Sequence, residues 1–83
     1  MFYVYILKSL LNSRYYVGMT SNLEKRVRQH NSGKTISTKG GVPWRLVHQE
    51  TYQTRADAWR RERQIKSYKG GEAFKKLIHG EIA

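Results

Sequence analysis

Residues 3–30, YVYILKSLLNSRYYVGMTSNLEKRVRQH, decide the fold. Two runs rich in aromatic and β-branched residues, Phe2–Leu7 and Tyr15–Met19, flank the turn signal Asn12-Ser13 and predict a β-hairpin with a two-residue turn. In the first run both alternating faces are apolar. Tyr3, Tyr5 and Leu7 share one face and Phe2, Val4 and Ile6 the other, as expected of a strand covered on both sides. With a two-residue turn, Tyr5 and Tyr16 fall on the same face of the sheet, whereas Tyr15 points the other way and packs. Gly18 removes a side chain beside Tyr16, which suits close approach of backbone or ligand. Ser21, with Glu24 three residues on, predicts a capping box that opens a helix. On that helix Leu23 and Val27 form an apolar stripe, with Arg26 and His30 one turn apart along its edge.

Outward from this stretch, Asn31–Pro43 (NSGKTISTKGGVP) loses helical periodicity and reads as a loop. A connector and a substrate-contacting loop are both open for it. Trp44–Tyr52 predicts a third strand, with Trp44, Leu46 and His48 on one face against Arg45, Val47 and Gln49. Thr54 caps a second helix, with Asp57 three residues later, and this helix runs to about Tyr68 before Gly70-Gly71. Ala58 and Ile65 mark its apolar stripe, and Glu62 falls on that stripe between them. A carboxylate so placed costs free energy unless it is paired or bound to a metal. Glu72–Ile78 predicts a last helix that docks Phe74, Leu77 and Ile78. The expected architecture is a small α/β module, a three-stranded antiparallel sheet flanked by helices, forming one domain over residues 1–83.

Sixteen Lys and Arg against six Asp and Glu give a formal net charge of +10, an electrostatic footprint for a polyanion. The chain has neither an apolar run of membrane-spanning length nor the pattern of a signal peptide, so a soluble, cytoplasmic protein is expected. Without a long basic amphipathic helix carrying a broad apolar face, a membrane surface is the poorer partner and nucleic acid the better one. The absence of cysteine excludes disulfides and thiolate-ligated metal centres. His30, His48 and His79 are too dispersed for an imidazole cluster, so any metal would be held by oxygen.

Tyr3-Val4-Tyr5, then Tyr16-Val17-Gly18 with Tyr16 eleven residues after Tyr5, then Arg26 and His30, resembles the GIY-YIG nuclease superfamily. That superfamily includes the first nuclease domain of the bacterial excision-repair endonuclease. YVY stands where the family name has GIY, so the first glycine is absent and its tyrosine kept; YVG stands for YIG. The resemblance spans nearly the whole chain and implies a stand-alone, metal-dependent endonuclease acting on DNA, with RNA an open alternative and DNA repair a plausible setting. It implies that Glu62 holds one Mg²⁺ or Mn²⁺, with waters and the scissile phosphate completing the shell. Tyr16 would deprotonate or orient the attacking water, and Tyr5 would bind the phosphate or that water network. Arg26 would meet transition-state charge with its planar fork. His30 would hydrogen-bond the phosphate or protonate the leaving group. Lys66, one turn beyond Glu62, and Lys34 and Lys39 in the loop would bind nucleic acid. The excision-repair relatives carry lysine directly after the second-motif glycine, where this chain has Met19.

Taken singly, each residue has a plainer explanation. The tyrosines are good strand residues that pack, Arg26 and His30 are ordinary helix charges, and Glu62 pairs with Lys66 at i,i+4. Their joint spacing favours the nuclease site. The competing functional class is a non-catalytic nucleic-acid-binding module that retains the fold. A catalytic subunit that relies on a partner protein for targeting is a third.

Overall fold

The computed structural model describes residues 1–79; residues 80–83, the end of the domain expected over 1–83, lie outside the described residues. Three strands, β1 (Phe2–Ser9), β2 (Tyr15–Thr20) and β3 (Trp44–Tyr52), form one antiparallel sheet in the order β2-β1-β3. Three helices accompany it: α1 (Leu23–Asn31), α2 (Arg55–Ser67) and α3 (Glu72–Ile78). The central position of β1 explains its doubly apolar sequence. Val4 and Ile6 pack with Ala58 and Ile65 of α2 and Phe74 and Leu77 of α3, whereas Tyr5 and Leu7 pack with Trp44 and, at the margin, Leu23 and Val27 of α1. Each fully buried aliphatic side chain contributes about 2 kcal/mol of apolar transfer free energy. The sheet is therefore held on both faces.

The hairpin differs from expectation in its turn. Lys8 pairs with Tyr15, and Ser9 N–H donates to Arg14 C=O at 2.8 Å, so four residues (10–13) make the connection rather than Asn12-Ser13 alone. Ser9 is the cause. Its buried hydroxyl accepts from the N–H groups of Leu11 and Asn12 and donates to Gly41 C=O at 2.6 Å, which widens the turn and pins it to the long loop. Ser13 takes the left-handed conformation that closes it, at φ 63°. The register moves by whole side-chain periods, so Tyr5 and Tyr16 still share a face: Tyr5 lies opposite Gly18 and Leu7 opposite Tyr16.

Two further expectations are corrected. The N-cap of α1 is Asn22, not Ser21; Asn22 Oδ1 accepts from Lys25 N–H at 3.1 Å. Glu24 pairs with Arg28 at 2.6 Å instead of closing a capping box. In β3 a bulge falls where Leu7 pairs with Leu46 but Ile6 with His48, leaving Val47 as the extra residue. His48 therefore leaves the face of Trp44 and Leu46 and joins Val47 on the α2 side. Thr54 caps α2 as expected, accepting from Asp57 N–H at 3.2 Å.

Candidate active site

On the α1 side of the sheet, Tyr5 and Tyr16 lie with ring centroids 6.3 Å apart. Gly18 is what lets Tyr5 lie flat there, since a Cβ at that position would come within 2.5 Å of the Tyr5 hydroxyl. The close approach is thus made by a phenol of the same chain. From α1, His30 inserts between the tyrosines, its ring 4.8 Å from Tyr16 and 5.8 Å from Tyr5. His30 is fully buried, and both its nitrogens are engaged: Nε2 with Tyr5 Oη at 2.9 Å and Nδ1 with Thr38 Oγ1 at 2.9 Å. The imidazole is therefore enclosed, with the buried Tyr5 hydroxyl on one side and Thr38 on the other. Burial, and then the charge of Arg26, hold its pKa below the usual 6.5.

Arg26 stands one turn before His30. Its guanidinium lies beside the Tyr5 hydroxyl, which raises the arginine pKa further, and Nη1 reaches Gln29 Oε1 at 3.3 Å. Its Nε is buried with no hydrogen-bond acceptor. Burial pushes the Tyr5 pKa up; Arg26 opposes that shift, while Tyr16 and Glu62 add to it. The carboxylate of Glu62, borne on α2, is thus felt at the same hydroxyl as the guanidinium from α1. Its side chain is only 14% exposed, and Oε2 accepts from Lys66 Nζ at 3.0 Å, the i,i+4 pairing that sequence alone also allowed.

Tyr16 sits where two grooves meet. One, of about 360 Å³, runs to Lys66, Lys69 and Phe74; the other, of about 270 Å³, runs between Arg14 at the hairpin tip and Gly40 in the long loop. Arg26 opens on a polar groove of about 350 Å³ with Thr20 and Lys25. A larger cavity, about 750 Å³, is lined by Tyr3, Leu23, Val27 and Leu46 and contains none of the five candidate residues. Size does not mark the chemistry here; convergence of charge and hydroxyl groups does. Lys34 and Lys39 are exposed in the loop, and Lys66 is exposed beside Glu62.

Among the described residues no three His, Cys, Asp or Glu side chains gather as a metal cage. A single part-buried carboxylate, Glu62, suits a hard cation that keeps most of its waters, as Mg²⁺ does, better than a metal held in an all-protein cage.

Two features escape a reading of the sequence. Thr38, in the middle of the long loop, is buried on His30, and Trp44 Nε1 donates to its carbonyl at 2.7 Å. The Gly40-Gly41 pair beside it was the available signal, for a Cβ at Gly41 would strike the Trp44 ring at 2.5 Å. On the opposite face, Glu50 is the most strongly perturbed acid among the described residues. It accepts from Arg61 Nε (2.7 Å) and Nη2 (3.0 Å) and from Tyr52 Oη (2.6 Å), and lies 2.7 Å from His48 Nε2. These bonds outweigh burial and hold its pKa down to about 2, while burial and the carboxylate push Tyr52 up to about 12.

Comparison with known proteins identifies the family. A family model described as the GIY-YIG catalytic domain matches residues 1–75. A UPF0213 protein of Haloquadratum walsbyi is 46% identical over 80% of this chain and 74% of its own length. Another, from Staphylococcus haemolyticus, is 41% identical over 90% of this chain and 92% of its own. The solution NMR structure of a UPF0213 protein from Bacillus halodurans is similar to 99% of this chain and 86% of that one, at 28% identity and a TM-score of 0.56.

Proposed function

This chain belongs to the GIY-YIG family, a superfamily of nucleases acting on nucleic acid, and we propose that it is a divalent-metal-dependent endonuclease that hydrolyses DNA phosphodiester bonds. Its targets on this reading are nicked, branched or single-stranded forms, because a domain this small has little surface for reading bases. Residues 1–83 act as one module.

The observation that carries the reading is Arg26. A guanidinium with a buried, acceptorless Nε stands beside the hydroxyls of Tyr5 and Tyr16, an arrangement in which a phosphate oxygen is the natural missing partner. Hydrolysis forms a bond from water oxygen to phosphorus, breaks the bond to the leaving oxygen and delivers a proton to that oxygen. Tyr16, half-buried where the two grooves meet, orients the attacking water. The Tyr5 hydroxyl, backed by His30, enters the same water or phosphate network. Arg26 meets the charge that accumulates on the phosphoryl oxygens. Glu62 would hold the Mg²⁺ or Mn²⁺, which when bound lowers the pKa of a coordinated water and neutralises phosphoryl charge. Lys34, Lys39 and Lys66 supply backbone attraction.

One observation favours a second reading. Lys66 already neutralises Glu62 at 3.0 Å, as it would in a binding module that no longer cleaves. Labelled single-stranded, nicked, branched and duplex DNA, with RNA counterparts, incubated with Mg²⁺, Mn²⁺ or chelator, separates the two. Metal-dependent cleavage greatest on the non-duplex DNA forms supports the endonuclease. Binding without cleavage of any substrate supports the module, and cleavage confined to RNA overturns the choice of DNA.

A further inference from the structure

We infer that one exposed flank of α2 is a track for unpaired nucleic acid, on which Trp59 stacks against a base while Arg55 and Arg63 hold phosphates to either side. The inference rests on the nuclease reading for where the strand leads, not for the binding itself.

The circumference of α2 is divided among distinct tasks. Ala58 and Ile65 face the core, and Arg61 turns to Glu50 on β3. Arg55, Trp59 and Arg63 recur at every fourth residue and Lys66 follows three later, so these four line up along another flank. Trp59 is 51% exposed and packs against neither core cluster. An indole left in water forgoes the apolar transfer that usually buries most of a tryptophan. The ring is held nonetheless: the Arg63 guanidinium lies over it, 5.0 Å from the centroid. At the start of the helix Arg55 lies over Phe2 at the same distance, 5.0 Å. Stacking of this kind fixes the plane of a guanidinium and leaves its N–H edges for an acceptor.

Ion pairing separates this flank from an ordinary solvated one. Arg60 pairs with Asp57, Arg61 with Glu50 and Lys66 with Glu62. Among the described residues Arg55 and Arg63 pair with no carboxylate; each rests on an aromatic ring instead. Two such guanidiniums beside an open indole suit a partner that carries both regular negative charge and flat apolar faces. Single-stranded nucleic acid has that chemistry. A duplex keeps its base faces stacked inside, and the carboxylates of an acidic peptide supply charge without a face to stack. The track also leads to the candidate site. Lys66 lies two turns, about 10 Å of helix rise, beyond Trp59 and lines the same groove as Tyr16. A strand stacked on Trp59 thereby brings a phosphate a few nucleotides away into that groove.

Oligothymidylate and a strand of equal length built of abasic sites, bound in chelator so that nothing is cleaved, test the track. The parent is expected to bind oligothymidylate about tenfold more tightly than the abasic strand, and only oligothymidylate should quench tryptophan emission. Trp59→Phe should remove the quench and hold affinity within about threefold. Trp59→Ala should weaken oligothymidylate about tenfold and change duplex affinity by less than about twofold. Arg63→Gln should make the salt dependence of single-strand binding shallower by about 0.7. Equal affinity of the parent for the two strands overturns the inference. So does oligothymidylate bound without quenching, a Trp59→Ala loss as large on the abasic strand, a salt slope unmoved by Arg63→Gln, or polyglutamate that competes as well as the strand. Should the Ala variant fail to fold, the parent's quench and its loss in Trp59→Phe still decide. Base-dependent binding in a protein that cleaves nothing leaves the track standing and removes the nuclease reading. Cleavage by a protein that fails the strand comparison does the reverse.

Discussion

Arg61 grips Glu50 through two parallel hydrogen bonds and so clamps α2 to β3 on the face of the sheet opposite His30. Both side chains are about one-fifth exposed, 22% and 18%, between the surface pairs that contribute little and the buried ones whose rupture is costly. Glu50→Gln should therefore lower stability by about 2 kcal/mol in urea denaturation at pH 7. The folded-state pKa of Glu50 is about 2, below its ordinary 4.5. The carboxylate's contribution is then complete above about 4.5 and is lost as pH falls toward 2. The gap between parent and Glu50→Gln should shrink over that interval, and a gap that is flat or widens on acidification contradicts the assignment.

Gly18→Ala tests the packing beneath the tyrosines. At a backbone conformation open to alanine this change ordinarily stabilises by about 0.4–1 kcal/mol. Here the new methyl group would stand 2.5 Å from Tyr5 Oη and 2.7 Å from its Cζ, against a ring that is wholly buried. A loss of about 1–3 kcal/mol is expected instead, together with broadening of the His30 resonances as Tyr5 is displaced. A stabilised variant would show that Tyr5 does not lie over Gly18.

His30 should titrate below its ordinary 6.5, because burial and Arg26 both disfavour the imidazolium. The neutral ring is required by the fold, so its contribution to stability is complete above 6.5 and declines as pH drops through the lowered folded-state value. Proton NMR of the ring hydrogens should show no His30 transition near 6.5 in the parent. In Arg26→Gln the midpoint should rise, since one of the two causes is removed. An unmoved midpoint would separate Arg26 from the site.

Salt dependence measures the basic surface. Log affinity for single-stranded DNA should fall linearly with log salt concentration. Replacing Lys34, Lys39 or Lys66 by Gln should make that slope shallower by about 0.7 for each phosphate the lysine neutralises. A slope unchanged by all three substitutions would remove these lysines from the interface.

The strands were legible because β1 is apolar on both faces and because Trp44–Tyr52 keeps enough alternation to be recognised. Thr54 and the Gly70-Gly71 stop bounded α2 well. The hairpin turn departs from its local signal because Ser9, a strand residue, supplies the hydroxyl that shapes it from outside the turn. Val47 hid its bulge, since a bulged residue carries no mark in its side chain. The Glu50 cluster joins residues eleven apart across two elements, a pairing that only the docking of α2 creates. Thr38 looked like ordinary loop polarity; its burial depends on where Trp44 and His30 come to rest. Local chemistry was readable, and non-local satisfaction of polar groups was not.

The central claim is that Arg26, from α1, and Glu62, from α2, serve one hydrolytic site. Single-turnover cleavage of a branched DNA in Mg²⁺, with binding measured separately on the same samples, tests it most directly for the parent, Arg26→Lys and Glu62→Gln. Each variant is expected to cleave at least about 100-fold more slowly while binding within about threefold of the parent. Parent-like cleavage by Glu62→Gln, or cleavage that falls only in proportion to binding, would contradict it.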